Sequence, residues 1–169
     1  MNLFYVRMIA AGAKKGTTTT FGLDAEFNLC FPDELEKPEH LPSIYIKYRN
    51  GDEFKTWMKN KVRHRDEGPA TITIAKNEIT CVWFKYGKMH RENKPAYCSP
   101  STIGYYCDHY LHRFNAPAEY RLYETRNGKF SVISSYWIHG HKLKEISNEI
   151  SVEQFHKIRE ETLRQYESF

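Results

Sequence analysis

The spacing of apolar and polar residues predicts four short β-hairpins between residues 44 and 138. In the first hairpin, residues 44–48 alternate and residues 54–58 return, around an Asn50-Gly51 pair. Asn-Gly is a strong hairpin signal because both turn residues tolerate positive φ. The arrangement recurs at 70–75 with 79–84, at 96–99 with 103–106, and at 118–123 with 130–138. This spacing predicts a mainly β fold, an antiparallel meander of roughly eight to ten strands.

The apolar period changes after residue 150. Ser151-Val152-Glu153-Gln154 is a capping-box pattern, which marks the start of a helix. Apolar side chains then follow at intervals of three or four residues: Val152, Phe155, Ile158, Thr162, Leu163, Tyr166 and Phe169. One such stripe predicts a helix of about 17 residues. We expect it to lie on the last hairpin and close the open end of the sheet. A partner-binding helix is the alternative.

The first 42 residues do not follow the hairpin rhythm. Residues 3–10 read as a strand, residues 17–23 and 26–31 as a second strand or hairpin arm, and residues 31–38 as an acidic connector. Gly12 and Gly16 bracket two lysines, but no Gly-Lys-Ser/Thr follows, so an ordinary turn is favoured over a phosphate loop. The chain thus divides into a unique β arm and connector (1–42), hairpin repeats (43–147) and a C-terminal helix (148–169). We expect one compact domain.

The hairpins are joined by a repeated segment. It reads WMKNKVRHRDEGPA at 57–70, WFKYGKMHRENKPA at 83–96 and YYCDHYLHRFNAPA at 105–118. In each copy an aromatic residue precedes a His-Arg pair by seven residues. A fourth segment, WIHGHKLK at 137–144, keeps the aromatic residue and a glycine but lacks the His-Arg pair. An internal period of this kind identifies a repeat protein.

Structural use is the favoured interpretation of the His-Arg pairs, because an active site needs one catalytic set rather than copies along a sheet. The pairs are His64-Arg65, His90-Arg91 and His112-Arg113. We expect each arginine to stack on the preceding Trp or Tyr, and each histidine to hydrogen-bond the backbone of the turn before Pro-Ala. A basic ligand-reading stripe and catalysis are the alternatives.

This segment resembles the MORN-like hairpin repeats, whose consensus is W-Y-x-N-G-x-x-H-R-x-x-G-P-A. The matching residues are Tyr48, Asn50, Gly51, Trp57, His64, Arg65, Gly68, Pro69 and Ala70, then Trp83, Gly87, His90, Arg91, Pro95 and Ala96, and more weakly Tyr105, His112, Arg113, Pro117, Ala118, Asn127, Gly128, Trp137 and Gly140. Lys94 and Ala116 replace the glycine of the G-P-A turn, and Lys61 and His109 stand where Gly87 does. The resemblance, to proteins of tailed phages and giant viruses, implies a hairpin-repeat fold, a phage-type origin and an interaction scaffold. It implies no reaction.

Composition adds little to the predicted fold, and the distribution of charge indicates which classes of partner the chain can bind. Twelve Tyr and ten Phe among 169 residues favour strands. The net charge is +4, and the excess lies in residues 43–147, which hold eighteen Lys and Arg against ten Asp and Glu. A basic centre permits an acidic partner, either nucleic acid or an acidic protein face. A solvated face of a Lys-rich sheet is the alternative.

Cysteine usage and hydropathy predict a cytoplasmic chain, in the host cytoplasm if it is phage-encoded, without disulfides or membrane contact. The four cysteines form no Cys-x-x-Cys pair, no secretory leader is present, and no apolar run reaches the length of a membrane span. Cys98, Cys107, His109 and His112 are close in sequence, but their spacing fits no usual zinc pattern. We therefore predict neither a metal nor a cofactor.

Three functional hypotheses follow. The leading one is a non-enzymatic interaction protein, a phage accessory or counter-defence factor that binds and inhibits a host protein. The second is a nucleic-acid or nucleotide binder that uses basic side chains with Trp57 and Trp83 as stacking faces. The third is a small nucleotide hydrolase acting through His109, His112, His139 or His141. The candidate binding residues are Trp57, Lys59, Lys61, Arg63, Trp83, Lys85, Lys88, Arg91, His109, Trp137 and His139.

Overall fold

A computed structural model describes residues 6–8, 19–21, 42–48, 50–76 and 78–167. The strands are β1 (Val6–Met8), β2 (Thr19–Phe21), β3 (Ile44–Lys47), β4 (Glu53–Thr56), β5 (Met58–Lys59), β6 (Val62–Arg63), β7 (Thr71–Ala75), β8 (Glu78–Val82), β9 (Phe84–Lys85), β10 (Lys88–Met89), β11 (Tyr97–Cys98), β12 (Thr102–Gly104), β13 (Tyr106–Cys107), β14 (Tyr110–Leu111), β15 (Glu119–Glu124), β16 (Phe130–Ile138) and β17 (His141–Ser147), followed by helix α1 (Val152–Glu167). Strands β1 and β2 pair antiparallel. The strand predicted at 26–31, the turn at 12–16 and the connector at 31–38 lie outside the described residues.

In the part of the chain that the structure describes, nine strands form the main sheet, in the order β17-β16-β15-β12-β11-β8-β7-β4-β3. Each strand pairs antiparallel with the next one of the sheet. The predicted meander and its four hairpins are therefore confirmed, with the C-terminal helix after them. The Asn50-Gly51 and Asn127-Gly128 turns are where the sequence places them, and both glycines have positive φ.

Three two-stranded ribbons interrupt the meander and were not predicted as separate strands. They are β5–β6, β9–β10 and β13–β14. Their two-residue turns have positive φ at both positions: Asn60 and Lys61, Tyr86 and Gly87, and Asp108 and His109. This is the conformation whose twist matches a tight hairpin. Strands of two residues show no alternation, so the apolar pattern gave no sign of them.

The fourth segment folds differently because it lacks the His-Arg loop. His139 and Gly140 form the same positive-φ turn, but the chain then returns directly along β16 as β17, a strand that was not predicted. Leu143 is an extra residue in this ladder, since Tyr136 pairs with Lys144 and Trp137 with Lys142. A bulge flanked by lysines protects the edge strand from pairing with other chains.

The core lies on one face of the sheet. A row of neighbouring residues crosses this face from strand to strand: Ile72, Cys81, Cys98, Ile103, Tyr120 and Ser134, all buried. Helix α1 places Phe155 in the same core, fully buried.

Helix α1 begins as the sequence predicts. Gln154 N–H donates to Ser151 Oγ at 3.1 Å, and Ser151 N–H donates to Gln154 Oε1 at 2.8 Å. The helix lies on the last predicted hairpin, β15–β16, and reaches β11, where Arg159 Nε donates to the Ser99 carbonyl at 3.2 Å. It covers the face of the sheet and does not close its end, because β17 forms the edge.

Candidate functional site

The repeated arginines stack on the repeated aromatic rings. The guanidinium carbon lies 3.9 Å from the ring centroid for Arg65 over Trp57, 4.0 Å for Arg91 over Trp83 and 3.9 Å for Arg113 over Tyr105. Each Nη1 also donates to the proline carbonyl of the same loop, at 3.3, 3.2 and 3.2 Å for Pro69, Pro95 and Pro117. The arginine thus joins both ends of its own loop, which is a structural use of the side chain.

This stacking removes Trp57 and Trp83 from the surface. Their exposed fractions are 7% and 6%, and a guanidinium covers one face of each ring. Burial also lowers the pKa of Arg91 to about 10, so this arginine is still cationic near neutral pH. The hypothesis that Trp57 and Trp83 stack on bases is therefore wrong, because neither ring presents a face to a ligand.

The repeated histidines connect each repeat to the next one. Nδ1 of each histidine accepts the backbone N–H of the first residue in the next short turn along the chain. Tyr86 donates to His64 at 3.0 Å, Asp108 donates to His90 at 3.4 Å, and His139 donates to His112 at 3.2 Å. The expectation that each histidine would bind the backbone of its own Pro-Ala turn is wrong. The neighbouring turn offers an unpaired N–H that an Nδ1 lone pair can accept.

The side chains of two of these turn residues stack on the histidine rings. Tyr86 stacks on His64 with centroids 4.5 Å apart, and His139 stacks on His112 at 4.1 Å. Asp108 instead places Oδ1 3.5 Å from Nδ1 of His90. Burial and the neighbouring His139 lower the pKa of His112, which keeps its ring neutral and its Nδ1 free to accept.

Exposed aromatic side chains gather where the third repeat meets the fourth turn. We name Tyr110, His112, Phe114 and His139 the aromatic patch. Phe114 is 70% exposed and meets the His112 ring edge-on at 4.7 Å, while Tyr110 is 58% exposed. Tyr110 Cδ1 lies 2.8 Å from the position that a Cβ on Gly140 would take, so this ring packs on the glycine. The patch is therefore continuous from Tyr110 through the turn to Phe114.

The fold does not require aromatic residues at these positions. The residue two after the motif histidine is Asp66 in the first repeat and Glu92 in the second, but Phe114 in the third. The residue after the short turn is Val62, then Lys88, then Tyr110. Tyr110 and Phe114 were not predicted as site residues, although both differ from the residues at the same positions of the other repeats.

Apart from Arg91, which stacks on Trp83, the predicted basic residues lie on the first two ribbons, and several meet carboxylates. Lys59, Lys61, Arg63, Lys85 and Lys88 are all exposed. Three of them form ion pairs: Lys59 with Asp66 at 3.3 Å, Lys85 with Glu92 at 3.8 Å, and Lys88 with Asp108 at 4.0 Å. Exposed pairs of this kind are weak, so the lysines keep their attraction for an anionic partner.

The other predicted binding residues lie at the turn of the third ribbon and around the fourth turn. His109 is exposed, but its Nδ1 accepts the Met89 N–H at 3.2 Å. Trp137 is half-buried, with Lys142 Nζ 5.7 Å from its ring centroid and its carbonyl accepting the Arg113 N–H at 3.2 Å. Of these residues, His139 contributes directly to the aromatic patch.

A cleft of about 330 Å³ separates the first two His-Arg loops. Its lining includes His64, Arg65, Lys85, Arg91, Asp66 and Glu92, so charges of both signs face it. Across residues 42–48, 50–76 and 78–164, no three His, Cys, Asp or Glu side chains are grouped to hold a metal ion. Burial raises the pKa of Cys81 to about 12 and of Cys98 to about 11, which keeps both thiols protonated and poorly nucleophilic.

Comparison with known proteins adds no evidence about what this site binds. None of the described helices is long and apolar enough to cross a membrane. No family model, no curated protein and no solved structure matches the chain.

Proposed function

We propose that this chain is a non-enzymatic interaction protein that binds another protein through the aromatic patch. The observation that carries the proposal is Phe114, a phenylalanine that is 70% exposed where the other repeats have a carboxylate. Exposed aromatic clusters mark interaction sites, and tyrosine is enriched among the residues that dominate binding energy. The resemblance to MORN-like repeats supports the same role, and with it the proposal that the partner is a host protein inhibited by a phage counter-defence factor.

The experiment is a pull-down from nuclease-treated bacterial lysate with the wild-type chain and two variants. Phe114→Glu installs the residue of the second repeat, so the fold should tolerate it. Glu92→Ala is the matched control, since it alters the same motif position one repeat earlier. We expect one protein, retained at near-equal amount by the wild type and the control, to be lost with Phe114→Glu. Equal retention by all three, with circular dichroism unchanged, would remove the patch as the binding site.

Nucleic-acid binding is the second candidate, and the exposed cations of the first two ribbons favour it. A nucleic acid would have to bind without stacking its bases on Trp57 and Trp83, because both rings are buried. A phosphate-binding face would lose affinity steeply with salt, whereas an aromatic contact would not. The hydrolase hypothesis gains no support from His109 or His112, because Nδ1 of each accepts a backbone N–H.

A further inference from the structure

The four short turns form one continuous row. The second residue of each later turn donates its N–H to the preceding ribbon: Gly87 to the Arg63 carbonyl at 2.8 Å, His109 to Met89 at 2.9 Å, and Gly140 to Leu111 at 3.0 Å. Neighbouring strands lie about 4.8 Å apart, so successive turns are about 10 Å apart and the row is about 30 Å long. We name the turns at 60–61, 86–87, 108–109 and 139–140 the turn row.

The turn row has a basic end and an aromatic end. Residues 58–63 and 84–89 contain five cations, and the carboxylates that pair with three of them, Asp66, Glu92 and Asp108, lie outside these two ranges. The cations are Lys59, Lys61, Arg63, Lys85 and Lys88. Residues 106–111 contain Asp108, and residues 137–142 contain Lys142, so this half has no excess charge. The aromatic patch lies at this second end, beside the fourth turn.

We propose that the turn row binds one extended segment of a partner protein that is acidic at one end and apolar or aromatic at the other. The inference rests on the proposed function and adds the chemistry of the partner. The acidic end lies over Lys61, Arg63 and Lys85, and the apolar end lies on Tyr110 and Phe114. A row of this length matches about nine or ten extended residues, at about 3.3 Å each.

The distribution of charge favours a protein segment over a nucleic-acid strand. A phosphate backbone carries charge at every step, so it needs cations along its whole path. The third turn instead presents Asp108, and the patch beside the fourth turn presents Phe114 and Tyr110. A protein segment whose acidic residues are confined to one end avoids repulsion by Asp108. Its other end can place apolar side chains against Phe114 and Tyr110.

The test uses two fluorescein-labelled peptides of identical composition. In the block peptide, all Asp and Glu residues precede a Gly-Ser spacer and a Trp-Leu end. In the mixed peptide, acidic and apolar residues alternate. An oligothymidine of the same length represents nucleic acid. Fluorescence anisotropy is read for the wild type, for Lys61→Glu, for Phe114→Glu and for the control Lys129→Glu, which makes the same charge change near the Asn127-Gly128 turn, outside the turn row.

We expect the block peptide to bind at least ten-fold more tightly than the mixed peptide. Lys61→Glu and Phe114→Glu should each weaken it several-fold, Lys129→Glu should not, and added salt should suppress the Lys61 effect but not the Phe114 effect. A photo-crosslinker at the apolar end should label residues of the aromatic patch.

Equal binding of both peptides, no binding of the block peptide, or tighter binding of the oligothymidine would overturn the inference. The proposed function would fail separately, through equal retention of the lysate protein by the wild type and Phe114→Glu. The two proposals are also separated if a lysate protein is lost with Phe114→Glu while the block and mixed peptides bind equally. The aromatic patch would then still bind a protein, but the partner segment would not have an acidic end and an apolar end.

Discussion

His112 and His139 lie ring on ring, with centroids 4.1 Å apart and planes 30° from parallel, and the His139 N–H donates to Nδ1 of His112 at 3.2 Å. One residue pair thus joins the last complete repeat to the turn that begins the edge strand. The hydrogen bond needs a lone pair on Nδ1. Protonation of that nitrogen would both remove the acceptor and place a cation against a second imidazole.

The first prediction is that acid destabilises the protein through this pair. The folded-state pKa of His112 is lowered by burial and by His139, so the native state binds fewer protons than the unfolded chain. The stabilisation is therefore present above the unfolded pKa of about 6.5 and is lost as pH falls through the folded pKa. His112→Asn retains an acceptor without a titrating ring, so it should reduce the change in urea midpoint between neutral and acidic pH. An undiminished change would exclude His112 as a source.

The second prediction concerns the arginine stacked on Trp83. Arg91→Ala should lower the free energy of unfolding by about 2 kcal/mol, because it removes a hydrogen bond from a charged donor and a partly desolvated cation–π contact. Arg91→Lys should recover less than half of this loss, since an ammonium lacks the planar fork. The control is Arg126→Ala, at an exposed turn, and urea denaturation is the measurement. A loss no larger than that of the control would mean that the stack does not hold the loop.

The third prediction is that glycine improves a turn where the protein has lysine. Lys61 has φ of 61°, a conformation that strains side chains with a Cβ. Lys61→Gly should therefore raise stability by about 0.5 kcal/mol after the backbone entropy of glycine is subtracted. Gly87→Ala should act in the opposite direction, because its φ is 81° and its added Cβ would lie 3.3 Å from Val62 Cβ. Melting temperatures of the two variants give the test, and shifts of the same sign would contradict it.

The main sheet was predictable because apolar and polar residues alternate along its strands, and because the β3–β4 and β15–β16 turns carry Asn-Gly. Departures from the repeat pattern were harder to interpret. Gly68 has positive φ in the first Pro-Ala loop, while Asn93 and Asn115 take that conformation one position earlier in the other two. Lys94 and Ala116 therefore replace a glycine without strain, since asparagine tolerates the left-handed region.

The candidate site was less predictable than the sheet, because side-chain contacts decide what the surface offers. A sequence shows that Trp57 is aromatic and Arg65 basic, but not that the guanidinium covers the ring. The exposed Phe114 left a readable signal, a phenylalanine at a position that is acidic in two other repeats. The continuous turn row could not be predicted from the sequence. It depends on hydrogen bonds between ribbons whose strands are only two residues long.

The last prediction tests whether helix α1 belongs to the core or is available to a partner. Phe155 is fully buried in the cluster that contains Val132. Phe155→Ala should cost about 3–5 kcal/mol, through lost burial and the cavity left behind. That is a large share of the stability of a domain, about 5–15 kcal/mol, so the urea midpoint should fall sharply. His156→Ala, at the next and exposed position of the same helix, should leave the midpoint nearly unchanged. If both variants unfold like the wild type, the helix packs too weakly to be part of the core, and its apolar stripe becomes a second surface on which a partner could bind.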